Sequence, residues 1–281
     1  MQHLIFPSCL AVAALSGCGG ASTGAVPFGG LNVSVGGGVG VSTVAGAPDV
    51  RRVALSVANS NTVFNAGVSR DPSRDVPLFD AFYSDTSGVL LFEAVGDSGT
   101  VHVAAKADDD ATGVQVGANA DSRGGTLPQS GTASYAGAYA GFLTRGPATG
   151  IPNLTQSYIS GTLNLTANFG TGTVSGAITD RQRYRTSTTN LLGTMGDVTL
   201  GALTVSGGAS DDDGVTSGGG IEGAAYVPAG PLRGVWDLGL GGDGAAEAGG
   251  TVQIIHDYRN TEPGDTPDDY VEIGGFAAAR N

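Results

Sequence analysis

The chain has 281 residues, 49 of them glycine, with 40% hydrophobic against 14% charged residues and a formal net charge of −13. A surface this acidic repels nucleic acid and anionic lipid head groups, which excludes nucleic-acid binding. Glycine on this scale points towards disorder, but the hydrophobic fraction and the widespread apolar/polar alternation argue for folded β structure.

Residues 4–15 form an apolar run, Leu4-Ile5-Phe6 to Ala13-Ala14-Leu15. At about 12 residues it is too short to span a bilayer as a helix, which takes roughly 20, but it has the length of a signal-peptide core. It ends in Leu15-Ser16-Gly17-Cys18, which resembles the lipobox of bacterial lipoproteins, although Met1-Gln2-His3 lacks the usual Lys or Arg. The resemblance implies a signal peptide over 1–17, cleavage before Cys18 and acylation (palmitate among the chains) of Cys18 itself. A plain secretory signal with an incidental cysteine is the alternative. The only other cysteine, Cys9, falls within the removed segment, so the mature chain forms no internal disulfide. Two or more acyl chains anchor stably where one is marginal. With Gly19 and Gly20 rather than Asp after the cysteine, the resemblance implies the outer membrane.

Residues 18–30 (CGGASTGAVPFGG) read as a flexible tether. Short strands separated by turn residues follow over 31–122: "RRVALSVAN", "VPLFDAFYS", "VLLFEAV", "TVHVAAKA" and "GVQVGA". Their spacing of about ten residues predicts antiparallel hairpins. The polar stretch "NADSRGGTLPQSG" (119–131) marks a boundary, which divides the chain into a β-rich region over 31–122 and a second unit over 123–281.

The second unit alternates more cleanly. In "YISGTLNLTANF", Ile159, Gly161, Leu163, Leu165, Ala167 and Phe169 share one face. Val174, Gly176 and Ile178 do so in "TVSGAITD", Trp236, Leu238 and Leu240 in "PLRGVWDLGL", Val252, Ile254 and His256 in "AGGTVQIIHDY", and Val271, Ile273, Gly275 and Ala277 in "YVEIGGFAA". With "TASYAGAYAGFL", "VTLGALTVS" and "IEGAAYV" this makes about eight strands, enough to close an antiparallel barrel whose interior is filled by side chains. Glycines inside the strands fit the bending that such a barrel needs. Aromatic residues are 6% of the chain and form no paired girdles, which argues against a transmembrane barrel. The predicted fold is therefore all-β, a C-terminal eight-stranded antiparallel barrel preceded by a smaller β-rich region.

Three segments of this unit, "SGTASYAGAYAGF" (130–142), "GTLNLTANFGTGTVSGAITD" (161–180) and "GGIEGAAYVPAGPLRGVWDLG" (219–239), with the ending "EIGGFAAAR" (272–280), resemble the surface lipoproteins related to transferrin-binding protein B and factor H-binding protein. The third departs from the family pattern at Ala224–Pro228 and at Arg233. The resemblance implies a barrel preceded by a β-rich handle, and a host protein, an iron carrier or haem as ligand. It does not choose among them, and a shared fold does not confer a ligand.

Constellations with chemistry are few. His102 and His256 belong to no metal-ligand spacing, and each reads either as a hydrogen-bonded structural histidine or as a haem or metal ligand. Asp108–Asp110, Asp211–Asp213 and "PGDTPDDY" (263–270) are contiguous acids and read as solvated turns rather than calcium loops. "RQRYR" (181–185) places Arg181, Arg183, Tyr184 and Arg185 after a predicted strand of an acidic protein, as a solvated loop or as a ligand contact patch. No nucleophile with a positioned base is present, no cofactor is implied, and the expectation is not an enzyme. The sequence thus predicts a lipid-anchored, non-catalytic ligand-binding lipoprotein of the bacterial outer membrane. The alternative is a structural or protective surface lipoprotein.

Overall fold

The computed structural model describes residues 34–37, 39–56, 63–106, 115–122, 126–145, 157–206, 209–210, 214–218, 227–228, 233–259 and 268–281. Two sheets account for nearly all of them.

The first sheet contains β1 (Ser34–Gly37), β2 (Val39–Val44), β3 (Ala47–Ser56), β4 (Val63–Arg70), β5 (Asp80–Ser84), β6 (Val89–Val95), β7 (Gly99–Lys106) and β8 (Gln115–Ser122). From β2 to β8 it is an antiparallel meander in chain order, and β1 then pairs parallel to β8. Because β1 and β2 are consecutive in the chain yet lie at opposite ends of the order, the sheet curls towards itself. The 3-10 turn Pro72–Arg74 joins β4 to β5, with the Asp71 carboxylate capping the Ser73 amide at 3.2 Å. Beta structure was anticipated for β3 and β5–β8, but not for β1, β2 and β4. In "VPLFDAFYS" only Asp80–Ser84 is strand, because Val76 to Phe79 closes a tight turn.

Strand β6 explains the sheet's packing. Val89 and Leu91 join Val53, Leu55, Val68 and Phe82 in one core, while Leu90, Phe92 and Ala94 face the second sheet. A strand buried on both faces reads as a near-continuous apolar run, and "VLLFEAV" does so with Glu93 as its one polar residue.

The second sheet contains β9 (Thr132–Arg145), β10 (Ser157–Asn168), β11 (Thr173–Arg185), β12 (Leu191–Met195), β13 (Val198–Ser206), β14 (Ala209–Ser210), β15 (Gly214–Gly218), β16 (Val227–Pro228), β17 (Arg233–Trp236), β18 (Gly239–Gly241), β19 (Glu247–Arg259) and β20 (Asp268–Arg280). Its pairings close a ring, β9–β10–β11–β13–β15–β17–β19–β20 and back to β9, antiparallel throughout. This is the predicted eight-stranded barrel, with one strand reassigned. The fifth ring strand is Gly214–Gly218, whose polar, glycine-rich sequence carries no apolar alternation. Of "IEGAAYV" only Val227 lies within the described residues, as part of the β16 bridge to β19.

The barrel interior is filled by Tyr135, Tyr139, Leu163, Trp236, Ile254 and Phe276 among others. Gly141 and Gly274 face each other across the β9–β20 ladder, and a Cβ on either would run into the Tyr139 ring, which lies over both. The outer face of the same two strands is also buried. Ala138, Ala140 and Phe142 of β9 and Ile273 of β20, with Tyr158 of the neighbouring β10, pack against Phe92, Val101 and Val103 of the first sheet. The row Ile273, Gly275 and Ala277 is therefore apolar because the first sheet covers it, whereas the inward row of β20 is Glu272, Gly274, Phe276 and Ala278.

Candidate binding site

The segment "RQRYR" is the second half of β11 rather than a loop, and a bulge sets the direction of its side chains. Up to Ile178 the even-numbered residues point inward, with Val174 and Ile178 in the barrel core. The β10–β11 register then shifts so that Asp180 and Arg181 together face Gly161, and Asp180 adopts φ 51°. An extra residue in one strand inverts the inside/outside phase beyond it. Cross-strand partners show the result. Arg181 lies opposite Met195 and Arg183 opposite Ile159, both of them partners from the interior core, and Arg185 shares a row with Ser157 and Leu143. Three arginines therefore follow one another along the inward face of one strand towards one end of the barrel.

They differ in environment. Arg181 is fully buried, and its guanidinium pairs with Glu272, whose side chain is also sealed from solvent. Arg181 Nη1 donates to the Gly196 carbonyl at 2.6 Å, and Tyr139 Oη donates to Glu272 Oε1 at 2.8 Å. Arg181 Nε is buried without a hydrogen-bond partner. Burial first, and the neighbouring Glu272 carboxylate second, hold the Tyr139 phenol well above its usual range, so it remains a donor. Gly161 accommodates the Arg181 stem, since a Cβ there would lie 3.2 Å from Arg181 Cγ and 2.9 Å from Ile178 Cγ2. Arg183 and Arg185 are half-buried, and neither side chain makes a hydrogen bond or ion pair among the described residues. Opposite Arg183 on β12 stands Gly193, with open space where a side chain would be.

Tyr184 points the other way. It stacks on Tyr158 at 5.0 Å and 14°; Tyr158 in turn meets Phe92 at 5.5 Å, and Phe92 meets Phe142 at 5.4 Å. Its hydroxyl donates to Gln182. Burial, and then the adjacent Tyr184, push the Tyr158 phenol up to about 12. The β11–β12 turn closes by Thr189 N to Arg185 O at 2.8 Å and Arg185 N to Asn190 O at 2.9 Å. Arg74 of the first sheet's 3-10 turn donates from Nε and Nη2 to Thr186 O at 3.3 Å each, lies 4.1 Å from the Tyr83 ring centroid and pairs with Asp71. The hairpin that carries the arginines is thus fastened to the other sheet.

Glu272, Tyr139 and Arg74 were not singled out from sequence. The available signal was the lone glutamate of "YVEIGGFAA", in phase with Gly274 and Phe276. His102 Nε2 lies 3.1 Å from Glu93, which also accepts from Arg51, so it belongs to a hydrogen-bonded cluster of the first sheet. His256 pairs with Tyr270 in the β19–β20 ladder, and its side chain lies outside the described residues. So do Cys18, both aspartate triplets and residues 263–267. Among the described residues no group of three His, Cys, Asp or Glu side chains is placed to hold a metal, and no helix is long and apolar enough to cross a membrane. A cleft of about 210 Å³ separates β6–β8 from β18–β20. Glu247 bridges it by accepting from the Asp97 and Ser98 amides at 2.9 and 2.8 Å.

A curled meander sheet sealed onto a closed, filled eight-stranded barrel is the class of protein that this fold defines. Among solved structures the chain is similar to a transferrin-binding protein B double mutant from Haemophilus parasuis, at 10% identity and TM-score 0.40, covering 83% of this chain and 51% of that one. It is also similar to the isotype 1 transferrin-binding protein B of serogroup B Neisseria meningitidis, at 10% identity and TM-score 0.40, covering 86% of this chain and 52% of that one. A structure described as a surface lipoprotein matches at 12% identity and TM-score 0.40, covering 87% of this chain and 97% of that one. The chain thus spans about half the length of the two transferrin-binding proteins. No family model and no curated protein matches it.

Proposed function

We propose that this protein is a lipid-anchored lipoprotein of the bacterial outer membrane that binds a ligand without transforming it, at the barrel end where β11 and β12 meet. The observation that carries the reading is the pair Arg183 and Arg185. In a chain of net charge −13, these two guanidinium groups follow one another on one strand face and have no acidic partner among the described residues. Arginine is enriched at binding hot spots, and its fork suits oxyanions. The filled interior supports a rim site over a ligand enclosed in the barrel. The Leu15-Ser16-Gly17-Cys18 motif supports anchoring at Cys18, with residues 19–30 as tether, 31–122 as the handle unit and 123–281 as the barrel unit. The family resemblance of 130–142, 161–180, 219–239 and 272–280 supports display at the cell surface, with a protein, iron carrier or haem as ligand.

The test is intact-mass analysis of the membrane-extracted protein beside Cys18→Ala, together with protease treatment of whole cells. A mass that begins at Cys18 plus acyl chains, absent in the variant, with the wild-type protein shaved by protease, is the expected result. An unacylated protein in the soluble periplasmic fraction would overturn the anchoring.

A further inference from the structure

We infer that the ligand group received by Arg183 and Arg185 is a small oxyanion, a carboxylate or a phosphate. The inference deepens the binding-site reading above and rests on it. Residues two apart on a strand project to the same side roughly 6–7 Å from each other, a distance that two guanidinium forks can close on one dicarboxylate or phosphate. The surroundings favour an anion over a cation or a neutral group. Among the described residues, Glu272 is the buried carboxylate on this inward face; it is committed to Arg181 and Tyr139, so it neutralises the deeper arginine rather than the outer two. Gly193 opposite Arg183 leaves room for a ligand atom where a side chain would stand. One row deeper on the same face, the fully buried Arg181 Nε is a donor without an acceptor. A buried donor left unpaired is costly and is ordinarily satisfied by a partner or an ordered water. The fastening of the Arg185–Asn190 turn by Arg74 fixes the main chain that carries the two arginines before a ligand arrives, which reduces the backbone share of the ordering cost of binding.

The experiment titrates the full-length, detergent-extracted protein with succinate and, separately, with inorganic phosphate at low ionic strength. It reads calorimetric heat and the arginine Nε resonances of 15N-labelled protein. Saturable shifts at Arg183 and Arg185 are expected. Binding should weaken about tenfold or more in Arg183→Gln/Arg185→Gln, and clearly in Arg185→Lys, which keeps the charge but loses the fork. The exposed Arg52→Gln should leave binding unchanged. Saturable binding of either anion supports the site, and the tighter of the two identifies it as a carboxylate or a phosphate site. Non-saturating shifts shared with Arg52, or a double variant that binds like wild type, would overturn the inference. Because acylation and surface display are read by mass and protease, a negative titration on a displayed protein removes the oxyanion and leaves the anchoring intact.

Discussion

Replacing Glu272 by glutamine keeps the shape of the side chain and an acceptor for Tyr139, but removes the charge opposite Arg181. Both members of this pair have no side-chain exposure, so water does not screen the change. Breaking a buried pair from one side costs about 3–5 kcal/mol, because the remaining charge is left uncompensated. Arg181 retains its bond to Gly196 O, which places Glu272→Gln at the lower end, about 3 kcal/mol. Removing both charges, as Arg181→Met/Glu272→Gln, should cost clearly less than the sum of the single changes, with a coupling of about 2 kcal/mol. Urea unfolding followed by tryptophan fluorescence reads this well, because the single tryptophan, Trp236, lies in the barrel core. At a slope of about 2–3 kcal/mol per molar for a chain of this size, the midpoint should fall by roughly 1 M with the slope unchanged. A loss below about 1 kcal/mol in the single variant, or strict additivity in the cycle, would refute the reasoning.

Acid should loosen the junction between the sheets. Burial alone would raise Glu247, but the Ser98 hydroxyl and the Ser98 and Asp97 amides outweigh it and hold its carboxyl below its ordinary range. A depressed carboxyl stabilises the fold above its unfolded pKa, and that contribution is lost as pH falls through the lower folded value. Protection of the Asp97 and Ser98 amides in hydrogen exchange should therefore drop in wild type as pH falls below the ordinary carboxylate range, whereas Glu247→Gln should lack the step. Leu78 sits at φ 65° on an exposed turn, a conformation that costs a non-glycine residue about 1–2 kcal/mol, so Leu78→Asn should raise stability by up to about 1 kcal/mol. A lower thermal midpoint would show that Leu78 packs in a way its exposure does not reveal.

Much of the barrel was readable because its strands obey a simple rule. Ile159, Leu163, Leu165 and Ala167 alternate with polar residues, and the structure puts all four in one interior core. The rule fails where both faces are buried. On β20 the visible apolar row, Ile273 and Ala277, belongs to the outer face, while Phe276 and Glu272 face in. It also fails for β15, whose sequence shows no apolar alternation although its main chain pairs with β13 and β17. The arginines were visible as a cluster, but their division was not. One extra residue at Asp180 decides which of them enter the barrel, and a non-glycine bulge leaves little trace in sequence. The partner that silences Arg181 lies 91 residues away, beyond any local pattern.

The ladder between β9 and β20 has a consequence for how the molecule is assembled. It is the seam that closes the ring, and the Tyr139–Glu272 bond across it joins residues 133 positions apart. Until β20 has emerged, β9 and β19 are raw edges, and the interior charge Arg181 has no counterion. Contacts this distant in sequence form slowly, and edges left open in the interval invite pairing with other chains. Closing the seam and neutralising the buried guanidinium are therefore one event, and it belongs to the last strand of the chain.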